Sequence, residues 1–186
     1  MERYLDSSQY IDWTHPEVHS IAASLGKSER STEAIIQKCF EFVRDEIRHC
    51  SDSNDEILTA KASEVLEART GFCYAKSHLL AALLRANRIP AAPCYQRLRG
   101  EDRYTLHGLN AVHLSESGWY RIDPRGNKAG IDAQFTPPVE RLAFKLDVGE
   151  EDIPGYWSEP LPSVIQVLTG YENVSAAREQ LPGDVE

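Results

Sequence analysis

At residues 87–92 the hydrophobic period of the sequence changes from helical to extended, and few architectures tolerate such a division. Upstream, apolar residues recur every three or four positions. Val18, Ile21, Ala22 and Leu25 follow a helix start at Thr14–Pro16 and run to Gly26; Ile36, Cys39, Phe40, Val43 and Ile47 follow a cap at Ser31 or Thr32; a short third helix covers Ser63–Ala68. The fourth, opening at Cys73, buries Phe72, Ala75, Leu79, Leu80, Leu83 and Ala86, and ends at Asn87 because Pro90 forbids continuation. Downstream, APCYQRL, HGLNAVHL, GWYRID and RLAFKL are short runs rich in aromatic and β-branched residues, separated by Gly, Ser, Pro and charges. Helices first and strands afterwards predict an α+β fold with an antiparallel sheet. A last helical piece, SVIQVLTG, closes the pattern, and residues 171–186 read as a loosely held tail.

The 186 residues suffice for one domain with its own core, and 41% apolar against 26% charged residues is an ordinary globular balance. A net charge of −9, with basic residues scattered rather than clustered, argues against nucleic acid or an anionic membrane as partner and favours a peptide, a protein or a small amide. No secretory leader pattern and no run near the ~20 apolar residues of a spanning helix is visible, so the cytoplasm is the expected compartment. Cys39, Cys50, Cys73 and Cys94 are irregularly spaced without a C-x-x-C, which predicts free thiols and neither metal nor cofactor. Cys39 and Cys94 fall on apolar stripes and read as structural; Cys50, after Arg48 and His49, is expected to be exposed. His78 lies five positions after Cys73, off the shared helix face a metal pair would need.

Two stretches carry chemistry. RTGFCYAKSHLLAALL places Cys73 at a helix start, where the positive end of the macrodipole favours a thiolate. HGLNAVHLSESGWYRID reads as a hairpin; with its turn centred near Ser115, His107 faces Asp123 and Ala111 faces Trp119. His113 shares the face of His107 but lies about 20 Å along the strand, so only His107 can combine with Asp123. Nucleophile, proton carrier and orienting carboxylate are the parts of a thiol acyl-transfer site: Cys73 attacks a carbonyl, His107 takes and returns a proton, and Asp123 holds His107. Backbone N–H groups at the Cys73 helix start are oxyanion donors, with His49 and Gln96 as polar candidates for a second. Arg125, Gly126 and Asn127, just past Asp123, either shape the site or form a turn, with the turn slightly favoured.

VRDEIRH, ASEVLEARTGFCYAKSHLLAALLRANRIPAA, HGLNAVHL and GWYRIDPRGN, spanning about residues 33–136, resemble the transglutaminase-like superfamily, in particular its small bacterial cysteine-protease-like members. The resemblance implies a single domain over residues 1–186 with a papain-like fold, the nucleophile helix packed on an antiparallel sheet, and a triad matching Cys73, His107 and Asp123. It also implies a thioester intermediate and hydrolysis of a peptide or amide; an amine acceptor, or a non-catalytic peptide-binding module on the same fold, are the alternatives. Leu109 stands where the family often has an aromatic residue, and nothing resembles the calcium sites or flanking β domains of animal transglutaminases, which argues against protein crosslinking.

Overall fold

A computed structural model describes residues 1–100 and 102–185. Helix α1 (Pro16–Gly26) begins at its proline, where the missing N–H costs nothing. Helix α2 (Thr32–Glu46) is capped by the Ser31 hydroxyl, which accepts from Ala34 N at 3.2 Å, and buries Ile36, Cys39, Phe40 and Val43 on the expected stripe. Two short strands, β1 (Arg48–His49) and β2 (Thr70–Gly71), pair in parallel around a one-turn α3 (Cys50–Ser53) and α4 (Ala62–Ala68). None of β1, α3 and β2 has a periodicity long enough to be read from sequence. They close the chain onto the head of α5 (Cys73–Ala86), and in doing so bury Cys50 completely, contrary to its expected exposure.

Helix α5 is buried all round rather than on one face: every residue from Cys73 to Arg85 is buried, Cys73 the most accessible of them at 8%, with α1, α2 and α4 on one side and the sheet on the other. Its two buried cations are used structurally. Lys76 donates from Nζ to the carbonyls of Ile47 and Arg44, satisfying groups that the end of α2 leaves unpaired. Arg85 reaches three carbonyls, those of Ala91 (3.0 Å), Asp6 (2.9 Å) and Ser158 (2.8 Å), and so joins three distant stretches of chain.

The sheet runs β5-β4-β3-β6, antiparallel throughout, from β3 (Ala91–Arg99), β4 (Tyr104–Leu114), β5 (Gly118–Ile122) and β6 (Glu151–Asp152). The hairpin register differs from expectation by two residues: Ala111 pairs with Arg121 and His113 with Trp119. The turn explains the shift, because a three-residue loop, Ser115–Ser117, leads into Gly118 at φ 77°, which centres the turn one residue later than Ser115. A two-residue shift leaves every side chain on its own face. One face covers α5; the other holds a smaller cluster of Cys94, Leu109 and Ala111 against Trp119, Leu142, Tyr156 and Trp157.

RLAFKL is not a strand. Residues 141–146 form an irregular segment with one bridge, Gln134 to Arg141, and β6 takes the fourth place in the sheet. Helices α6 (Pro162–Gly170) and α7 (Val174–Arg178) follow, α7 capped by the Asn173 side chain. The expected loose tail is docked instead: Val174 and Ala177 are buried, and Leu106 N donates to Pro182 O at 2.7 Å. Glu186 lies outside the described residues. Among the described residues no helix is long and apolar enough to cross a membrane.

Candidate active site

The site is assembled by a close approach. Phe72, extended, leads into Cys73 as first residue of α5, and no side chain caps that first turn, so its N–H groups point outward without a capping partner. Strand β4 passes directly against this helix head because residue 108 is glycine. A Cβ there would lie 2.7 Å from Tyr74 Cδ1, 3.0 Å from Tyr74 Cα and 3.2 Å from Tyr74 N. With that gap closed, Gly108 N donates to Cys73 Sγ at 3.4 Å, and the Tyr74 hydroxyl donates to Leu106 O on the same strand.

His107 precedes this contact and binds Asp123 through Nε2–Oδ2 at 2.8 Å. Asp123 follows the last paired residue of β5, and continuing the register sets it opposite Leu109; it therefore meets His107 diagonally, not face to face as expected from sequence. Its carboxylate is wholly buried and fully engaged: Oδ1 accepts from Arg125 N at 3.1 Å, and Oδ2 also accepts from Ala143 N at 3.0 Å. Burial works against charge on both partners, but the pairing outweighs it. The Asp123 carboxylate and the Cys73 sulfur together raise His107 to about 10, and the imidazolium with two backbone N–H groups lowers Asp123. Both shifts favour an imidazolium–carboxylate pair, and the ring of Phe144 stands edge-on to His107 at 4.9 Å between centroids.

Cys73 opens into a recess of about 160 Å3, walled by His49, Phe72, Leu106, His107, Arg125, Phe144 and Leu181 among others. Burial and the neighbouring Arg125 hold His49 neutral, down to about 3, and its Nδ1 is buried without a partner. A buried unpaired N–H is rarer than an unpaired acceptor, so the proton belongs on Nε2. Arg125 is fixed by a bidentate pair with Asp52 (2.7 and 3.1 Å), and Lys128 joins the same carboxylate at 2.6 Å. Burial opposes charge on Asp52, yet these cations hold it far below the usual carboxylate range.

The structure brings Cys73, His107 and Asp123 together, sets His49 in the wall of the same recess, and leaves the remaining candidates apart. His113 stands edge-on to Trp119 at 5.5 Å between centroids, near the turn. Gln96 lies opposite His107 on β3, but its Nε2 donates to Asp152 Oδ1 at 2.9 Å, and it faces a separate groove of about 960 Å3. His78 donates from Nδ1 to Ala60 O at 2.7 Å. Burial pushes the Cys39 and Cys50 thiols up to about 12 and Cys94 well above its usual range, so none of these three carries thiolate at neutral pH. Sequence reasoning missed Gly108, Asp52 and Phe144, and slightly favoured a turn role for Arg125. Of these only Gly108 had a local sign, since a glycine inside a strand pattern marks close approach of another backbone. Among the described residues no three His, Cys, Asp or Glu side chains converge as metal ligands would.

The Transglutaminase-like superfamily matches residues 19–124, more than half of the chain. No curated protein matches the sequence. Among solved structures, a candidate cysteine protease from Cytophaga hutchinsonii superposes with a TM-score of 0.54 at 20% identity, over 66% of this chain and 40% of its own. The periplasmic domain of TgpA from Pseudomonas aeruginosa superposes with a TM-score of 0.51 at 21% identity, over 65% of this chain and 45% of its own. This chain spans less than half the length of either, and at such identities the likeness is one of fold. The match with the family covers the helix headed by Cys73, the strand carrying His107, and Asp123, and the chain belongs to the transglutaminase-like superfamily.

Proposed function

We propose that the protein is a cysteine-dependent acyl-transfer enzyme that hydrolyses a peptide or amide bond through a thioester at Cys73. The observation that carries this reading is the buried His107–Asp123 pair set beside a sulfur that already accepts an N–H from the strand. The Cys73 thiolate attacks the carbonyl carbon, forming the C–S bond and moving the electron pair to oxygen. That oxyanion faces the uncapped N–H groups of α5 and the Nε2–H of His49, which lines the recess where Gln96 does not. Collapse breaks the C–N bond as His107 passes its Nδ1 proton to the leaving amine. Water then attacks the thioester, His107 takes its proton, and the acid leaves with Cys73 restored. Asp123, tied by two backbone N–H groups, keeps the ring oriented throughout. An amine in place of water turns the same intermediate to transfer.

Iodoacetamide labelling between pH 5 and 9, mapped by mass spectrometry, tests this without a substrate. The expected result is fast labelling confined to Cys73, slowed at least ten-fold by His107→Ala and absent in Cys73→Ser. Slow labelling spread over all four thiols would overturn the reading and leave a binding module on this fold.

A further inference from the structure

The edge of β4 that faces Cys73 is not covered by the sheet. Strand β5 pairs with β4 only from Asn110 to Leu114, so residues 104–109 are bare of a strand partner on that side, where the head of α5 touches Gly108 N through Cys73 Sγ and Leu106 O through the Tyr74 hydroxyl. The alternate N–H groups along it are nonetheless spoken for in sequence. Beyond the ladder at Asn110, Gly108 N donates to Cys73 Sγ, and Leu106 N, about 7 Å further on, donates to Pro182 O at 2.7 Å. A stretch of this chain therefore lies on the edge next to the nucleophile.

It is held there along its length. Leu181 forms part of the wall of the Cys73 recess. Gly183 O accepts from Arg97 Nε at 3.1 Å, and a Cβ on Gly183 would come within 2.9 Å of Tyr104 O, so the segment lies close against β4 there. Arg103 grips the approach, donating to Leu181 O at 3.1 Å and Glu179 O at 2.6 Å. Pro182 against Leu106 and Gly183 against Tyr104 give an antiparallel course. Strand addition of this kind recognises a peptide by main-chain bonds, with alternate side chains read in pockets.

We propose that the bare edge of β4 beside Cys73 is a binding site for an extended peptide with an apolar side chain directed into the recess, and that Leu181–Gly183 occupies it as a built-in competitor. As a donor-substrate site it rests on the thiol chemistry proposed above; as a peptide site it does not. The substrate class is then an extended, accessible stretch of polypeptide rather than a small amide, and the chain restrains its own activity until the segment is displaced.

Two variants release the segment by different means. In Gly183→Val the new side chain meets Tyr104 O; in Arg103→Ala, an exposed position, the grip on the carbonyls of Arg178, Glu179 and Leu181 is lost and the core is untouched. The Leu106 amide is protected from hydrogen exchange in the parent and exchanges at least ten-fold faster in both variants, and a synthetic peptide of residues 179–185 added in trans restores protection. Cys73 in the variants reacts at least five-fold faster with a peptidyl chloromethyl ketone, relative to iodoacetamide, than in the parent. Unchanged exchange at Leu106 in both variants, or a peptide that restores nothing, would overturn the proposal. Exchange that responds while iodoacetamide labels every thiol slowly would refute the role of Cys73 and still support the edge as a peptide site.

Discussion

Each of the three central side chains owes its state to a few contacts. His107 illustrates it: burial alone would strip its proton, and only Asp123 and the Cys73 sulfur reverse that. In nitrogen-detected NMR the ring should remain the cation through neutral pH and lose its proton near pH 10. A neutral ring at pH 7.5 would contradict the buried ion pair. These residues were legible because each has a local sign: Cys73 opens a long apolar helix, His107 sits in an alternating strand, and Asp123 ends the next one. The residues that support them had none. Asp52 meets Arg125 across 73 positions and Phe144 meets His107 across a segment with no regular structure, so no spacing in the sequence records either contact.

Among the elements, the joint between α5 and β4 sets the site. Gly108→Ala puts a carbon 3.0 Å from Tyr74 Cα and 3.2 Å from Tyr74 N, and backbone cannot rotate aside as a side-chain tip would. The helix head must move. The expected cost is about 1–3 kcal/mol, or a midpoint lowered by roughly 2–4 °C per kcal/mol. Loss of iodoacetamide reactivity at Cys73 should exceed what that destabilisation explains. Full reactivity with an unchanged melting midpoint would show that the approach is looser than described. The types and most boundaries of the long helices and of β3, β4 and β5 followed from period and caps, as Pro16, Ser31 and Asn87 show. The hairpin register did not, because it depends on whether the left-handed position of the turn falls at Gly118 or earlier. RLAFKL failed for a different reason: its alternation is real, but its residues serve one at a time, Leu142 in the second cluster, Ala143 on Asp123 and Phe144 on His107.

Over the whole molecule, two buried bases oppose each other in pH. His107, raised to about 10 against ~6.5 in the unfolded chain, contributes stability below ~6.5 that is lost as pH climbs toward 10. Lys76 runs the other way. Burial, with Arg125 adding to it, lowers it to about 7 against ~10.4 unfolded, so folding releases a proton above pH 7 and stability rises with pH there. Between pH 7 and 8.5 the parent protein should therefore show little net slope in its denaturation midpoint. Lys76→Met should expose the fall due to His107, and His107→Gln the rise due to Lys76; three parallel profiles would refute both assignments. The sequence by itself determined the order of the long helices and of β3, β4 and β5, and offered Cys73, His107 and Asp123 as the candidate nucleophile, proton carrier and orienting carboxylate, because periodicity, caps and turn residues are local and repeat along the chain. Only the tertiary structure decided the diagonal meeting of His107 and Asp123, the walls of the recess and the docking of Leu181–Gly183 beside Cys73. Those are contacts between segments far apart in the chain, selected by how whole elements pack and by which N–H groups the sheet leaves free.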